Sequence, residues 1–132
     1  SMSRANTNAK TEFLETVSTK KVLCAEITYY HSSLWTEEDE PEENFTTTLP
    51  VNHTEDEYEE FIDTLDFDYD SGYGGQELFG TIWMQDGTWY DRGEYDGSEW
   101  WEHRRCPKIE FASDAKNPYD HIYGDGDERY AE

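Results

Sequence analysis

Carboxylates are the groups in this sequence with the most capacity for chemistry, and they are unevenly spread. The densest run is Thr54 to Asp70, TEDEYEEFIDTLDFDYD. Tyr58, Phe61, Ile62 and Leu65 recur there at i, i+3, i+4 and i+7, the period of a helix resting on a core. Thr54 is the expected N-cap, and Glu57 completes a capping box with it. Glu55, Asp56 and Glu57 fall in the first turn, where the helix dipole favours acids. Glu59, Glu60 and Asp63 fill the face opposite the apolar edge. Counting Asp66, the acids of this predicted helix are spaced at one charge per roughly 3 Å, given its rise of about 1.5 Å per residue. One strand of duplex DNA carries charge at a spacing of the same order, about 3.4 Å. Solvated helix faces usually mix signs, because like charges at i, i+4 are destabilising. This face holds no cation, which points to a pressure other than helix stability.

Two further stretches extend the acidity. Residues 35–44, WTEEDEPEEN, cannot pack and read as an exposed loop carrying Glu37, Glu38, Asp39 and Glu40. After the helix, Asp66, Asp68 and Asp70 alternate in a loop. If these stretches share one side with Glu55, Asp56, Glu59, Glu60 and Asp63, they form a negative band. Such a band could stand in for phosphates in the channel of a protein that clamps DNA. Trp100 and Trp101 are neighbours on a predicted strand and must point to opposite faces, so one is expected outside as an interface anchor.

The alternating aspartates allow a second chemistry. Asp66, Asp68, Asp70 and Glu77 occupy positions 1, 3, 5 and 12 of a calcium-loop template. Ser71 stands where that template has glycine, and a strand rather than a helix follows. A calcium- or cation-binding acidic module is therefore an alternative reading, with no other cofactor expected. A third is an interaction protein that binds a basic partner without copying DNA. Catalytic signals are poor. His31, His53, His103 and His121 form no metal-binding spacing. No glycine-rich phosphate loop occurs, and neither Cys24 nor Cys106 has a nucleophile signature around it. The expectation is a protein that is not an enzyme.

The elements that must position these groups follow from pattern. The 132 residues suit one domain with a modest core. Net charge is −22, and no Lys or Arg occurs between Lys21 and Arg92, a window holding 19 of the 32 acids. That field repels nucleic acid and anionic membrane and favours a basic protein, a nucleic-acid enzyme above all, as partner. Aromatic content of 16% argues for a folded chain with an aromatic core. Residues 1–18 read as a flexible N-terminus with a short helix over Thr11–Ser18. Residues 19–112 read as a single α+β domain, and 113–132 as a poorly ordered acidic tail.

In VLCAEITYYH, Leu23, Ala25, Ile27 and Tyr29 alternate with polar positions, which predicts a strand with those four inward. FTTTLPV predicts another. Asp86-Gly87 and Asp96-Gly97 predict two-residue hairpin turns joining three strands near 78–85, 88–95 and 98–105. The first turn sets Trp83 opposite Tyr90 and Met84 opposite Trp89. The fold class is α+β, an antiparallel sheet of about five strands with a C-terminal three-strand meander, covered by one acidic helix. The two cysteines read as free thiols, their pairing left open, and no signal peptide or long apolar run is seen. These features suit a soluble cytoplasmic protein of unknown oligomeric state, a dimer being one option.

The run ELFGTIWMQDGTWYDRGEYDGSEWWEHRRCP, residues 77–107, resembles the C-terminal hairpin segment of small uncharacterised proteins encoded by tailed bacteriophages. The resemblance covers about a quarter of the chain and implies a phage protein acting in the host bacterial cytoplasm. In charge, though in no motif, the chain is similar to the DNA-mimic anti-restriction proteins of phages. The implied function is a non-enzymatic inhibitor of a host restriction, defence or repair enzyme.

Overall fold

The computed structural model describes residues 6–31, 40–41, 43–72 and 74–107. Its elements in chain order are β1 (Asn6–Asn8), α1 (Ala9–Val17), β2 (Val22–Tyr29), β3 (Phe45–Leu49), α2 (Glu55–Thr64), β4 (Asp68–Asp70), β5 (Leu78–Met84), β6 (Trp89–Tyr95) and β7 (Ser98–Arg104). The fold is α+β. Five antiparallel strands lie in the order β3-β2-β5-β6-β7, and β1 pairs with β4 in a separate two-stranded ribbon.

The interior strand β2 forms where apolar and aromatic residues alternate with polar ones. Ala25, Ile27 and Tyr29 face inward. A register shift between Val22 and Cys24 interrupts the alternation, so Val22 is buried and Leu23, expected inside, is exposed. Gly80 lies opposite Ile27, where β2 and β5 approach closely. Its φ is +140°, and a Cβ there would sit 2.2 Å from the Glu26 carbonyl oxygen. Only glycine fits that crossing.

The meander is present, but its first turn is not the one expected. The Met84 N–H donates to the Thr88 carbonyl at 2.9 Å, enclosing Gln85, Asp86 and Gly87 in a three-residue loop with Gly87 at φ +89°. Trp83 therefore pairs with Trp89 and Ile82 with Tyr90. The second turn is the expected two-residue one, with Asp96 and Gly97 both at positive φ and Tyr95 opposite Ser98.

Two helices, not one, cover the sheet. Phe13 and Val17 of α1 and Phe61 and Ile62 of α2 meet Ala25, Ile27, Tyr29, Leu49, Ile82 and Met84 in one core. The core is mixed: the aromatic cluster that composition suggested is present, but it is embedded among a larger set of Ala, Val, Ile, Leu and Met side chains. Phe67 stands edge-on to Tyr29 and to Phe45, with ring centroids 5.1 and 5.4 Å apart, and Phe13 meets Phe61 at 5.5 Å.

Helix α1 begins earlier than expected because Asn8 caps it. The Asn8 Oδ1 accepts from the Thr11 N–H at 2.9 Å, while its Nδ2 donates to Asp66 and Asp68. Asn6 to Asn8, expected to be mobile, are thereby tied to β4. The tail expected over 113–132 lies outside the described residues.

Candidate functional site

The acidic helix forms as the sequence implies. The Thr54 Oγ1 accepts from the Glu57 N–H at 3.1 Å, and the Glu57 carboxylate accepts from the Thr54 N–H at 2.8 Å, a complete capping box. Phe61, Ile62 and Leu65 are buried and Tyr58 is half-buried, while Glu55, Asp56, Glu57, Glu59, Glu60 and Asp63 are all exposed. Ten residues at about 1.5 Å each span roughly 15 Å. Lys10 of α1 lies 3.6 Å from the Asp63 carboxylate. Glu55–Glu59, Asp56–Glu60 and Glu59–Asp63 are like-charge pairs at i, i+4. Burial first, and then the Glu59 and Glu55 carboxylates, hold the Tyr58 phenol above its ordinary pKa.

The wider band is smaller than expected. Glu40 and Asp70 are 7% and 2% exposed, so neither can meet a partner surface. Glu37, Glu38 and Asp39 lie outside the described residues. Asp66 is exposed and Asp68 half-buried, and both accept from Asn8. Trp101 is also buried, on the helix-covered side of the sheet, whereas Trp100 is exposed on the other.

The calcium loop is not formed. Asp68–Asp70 is an extended strand paired with Asn6–Asn8 rather than a loop curled round an ion, and the Asn8 amide binds Asp66 and Asp68. The Asp70 Oδ1 accepts from the Gly72 N–H at 3.1 Å, and the Glu77 Oε1 accepts from the Asp70 N–H at 3.1 Å.

Two buried polar groupings were not foreseen. The first centres on Arg92, whose side chain is 3% exposed. Its Nη2 lies 2.6 Å from the Glu99 Oε1 and donates to the Tyr69 hydroxyl at 2.9 Å, and its Nη1 lies 3.5 Å from Glu12. The guanidinium stacks on Trp101, 4.7 Å from the ring centroid. The Tyr69 hydroxyl in turn donates to Glu12. Glu99 also accepts from the Glu77 and Leu78 N–H groups at 2.9 and 3.0 Å. Burial pushes the Glu12 carboxyl above its ordinary range against the pull of Arg92. For Arg92, burial is outweighed by Tyr69, Glu12 and Glu99, which raise its pKa. This grouping joins α1, β4, β6 and β7, a structural role. The signal for it was Arg92 itself, a lone cation two places from inward-facing Tyr90.

The second grouping gathers His31, Glu40 and Glu77, whose ligand atoms all lie within 4.8 Å of one another. The Tyr29 hydroxyl donates to the Glu40 Oε1 at 3.0 Å and lies 3.0 Å from the His31 Nδ1, which is 3.2 Å from Glu40. This acidic and imidazole cluster could hold a metal ion. Of the carboxylates expected to bind a cation, only Glu77 belongs to it.

The sheet face away from the helices carries the exposed aromatics. Phe79, Trp83 and Trp100 are each about two-fifths exposed and Trp89 is half-buried. Trp100 lies over Gly93, where a Cβ would be 2.6 Å from its indole nitrogen, and that nitrogen donates to Glu102 at 2.9 Å. The Arg104 Nε donates to Asp91 at 2.9 Å on the same face. The aromatics and the acidic face of α2 therefore occupy opposite sides of the molecule.

No family model matches the chain, and no curated protein or solved structure matches it significantly. No helix among the described residues is long and apolar enough to cross a membrane.

Proposed function

We propose that this protein is a non-enzymatic inhibitor that occupies the basic, nucleic-acid-binding surface of a partner protein, as a DNA mimic of phage origin would inside a host bacterium. One observation carries the reading. Helix α2 exposes six acids in ten residues and keeps three like-charge i, i+4 pairs. Each pair costs the helix about 0.2–0.5 kcal/mol, a cost that solubility alone does not require in a chain of net charge −22. A basic channel would turn that repulsion into attraction.

The test is capture of partners from a bacterial lysate by the parent chain and by a Glu55→Gln, Glu59→Gln, Glu60→Gln, Asp63→Asn variant. The expected result is a basic nucleic-acid enzyme held by the parent alone and released by duplex DNA. A partner held equally by both chains would refute the role of α2.

The open aromatic face supports a second reading, an interaction protein that does not copy DNA. Exposed Phe79, Trp83 and Trp100 are the kind of side chain that anchors protein interfaces. Under this reading Trp100→Ala abolishes capture, while neutralising α2 leaves it intact.

A further inference from the structure

We propose that His31, Glu40 and Glu77 form a binding site for one divalent transition-metal ion of the zinc class, tying the end of β2 and the approach to β3 to the start of β5. Three separate parts of the chain bring the ligands together. His31 follows the last residues of β2, and its backbone N–H donates to the Asn44 side chain at 2.7 Å. Glu77 precedes β5 and is held beside that strand end because the Tyr30 N–H donates to its carbonyl at 2.7 Å. Glu40 reaches the same point from the approach to β3, steadied by the fully buried Tyr29 hydroxyl. The ligands are thus placed by backbone and neighbouring side-chain bonds before any ion arrives.

Charge and donor chemistry define the ion. The Glu40 and Glu77 carboxylates are each more than nine-tenths buried, and their ligand atoms lie within 4.8 Å. Two carboxylates and an imidazole this close in a dry site present a concentrated donor set, and a divalent cation between them gains strong attraction. An imidazole nitrogen with two carboxylates is a mixed donor set suited to zinc, cobalt or manganese. Calcium prefers six to eight oxygens and gains little from the histidine. Exposed Asp66 and half-buried Asp68, both already bound by Asn8, offer only diffuse binding.

The experiment uses the full chain stripped with a chelator and held in excess magnesium, which occupies the diffuse acidic surface. Zinc is then titrated by calorimetry, and cobalt by its visible absorption. The expected result is one ion per chain, a higher melting temperature reversed by chelator, and a cobalt spectrum with nitrogen and oxygen ligands. His31→Ala and Glu40→Gln each weaken zinc binding by about tenfold or more, while the Asp66→Asn, Asp68→Asn double variant binds as the parent does. Apo melting curves of each variant establish that it folds, and the Asp66, Asp68 variant provides a reading independent of the buried positions. The proposal is overturned if no stoichiometric zinc site survives excess magnesium. It is equally overturned if His31→Ala and Glu40→Gln, once shown to be folded, keep the parent affinity, or if zinc binding follows Asp66 and Asp68.

Discussion

Reversing the charge at Glu59 separates what α2 does for the fold from what it does for binding. Glu59 has Glu55 four residues before it and Asp63 four residues after, all three exposed. Each like-charge pair costs about 0.2–0.5 kcal/mol, and each opposite pair returns a similar amount. Glu59→Lys removes two repulsions and creates two attractions, a gain of about 1–2 kcal/mol. The lost acid lies beyond the first turn, so little dipole stabilisation goes with it. For a chain of this size the gain corresponds to a rise in melting temperature of roughly 3–8 °C. Calorimetry at low ionic strength measures it, and added salt should shrink it, since exposed charges are screened. Glu59→Gln should show about half the rise. The same Glu59→Lys change should weaken partner capture, improving the fold while damaging the function. A melting temperature that falls, or does not move at low salt, would refute the claim that α2 is acidic at its own expense.

Other positions test the scaffold. Arg92→Met leaves the buried Glu99 and half-buried Glu12 carboxylates without their guanidinium and should cost about 3–5 kcal/mol, measured by chemical denaturation; adding Glu99→Gln should recover part of the loss. Asn8→Asp preserves the helix cap yet sets a third carboxylate beside Asp66 and Asp68 in place of two donated bonds. It should lower stability by about 1–2 kcal/mol, and a melting temperature equal to the parent's would show that Asn8 serves only as a cap. Asp86 accepts from the Thr88 hydroxyl and N–H, which hold its carboxyl below the ordinary 3.8. Its contribution is thus present above pH 3.8 and lost as pH falls through the lower folded value. Asp86→Ala should melt below the parent at neutral pH and converge with it in strong acid.

Local rules made much of the fold legible. The α2 capping box, its apolar period and the Asp96-Gly97 turn depend on residues within one or two turns of chain, and each formed as read. The β1–β4 ribbon was not legible, because two of the three residues of β1 are asparagines, poor strand formers, and their partners lie sixty or more residues away. The first hairpin shows how one residue changes a face. Admitting Gln85 to the loop moved Trp83 from opposite Tyr90 to opposite Trp89. Burial of Glu40, Asp70, Glu77 and Glu99 is not legible in the sequence because composition assigns acids to the surface. Their partners include backbone N–H groups, the Tyr29 hydroxyl, His31 and Arg92, brought together only by the sheet. Glu99 carried a usable clue, lying two residues from inward-facing Trp101 on an alternating strand.

The central claim is that the exposed carboxylates of α2 take the place of nucleic-acid phosphates on a basic partner. Its most direct measurement is the affinity of a captured lysate protein for the parent chain with increasing duplex DNA, at low and high salt. The account predicts mutually exclusive binding, with DNA displacing the protein and affinity falling steeply as salt rises. A ternary complex with DNA, or tight binding that persists at molar salt, would contradict it.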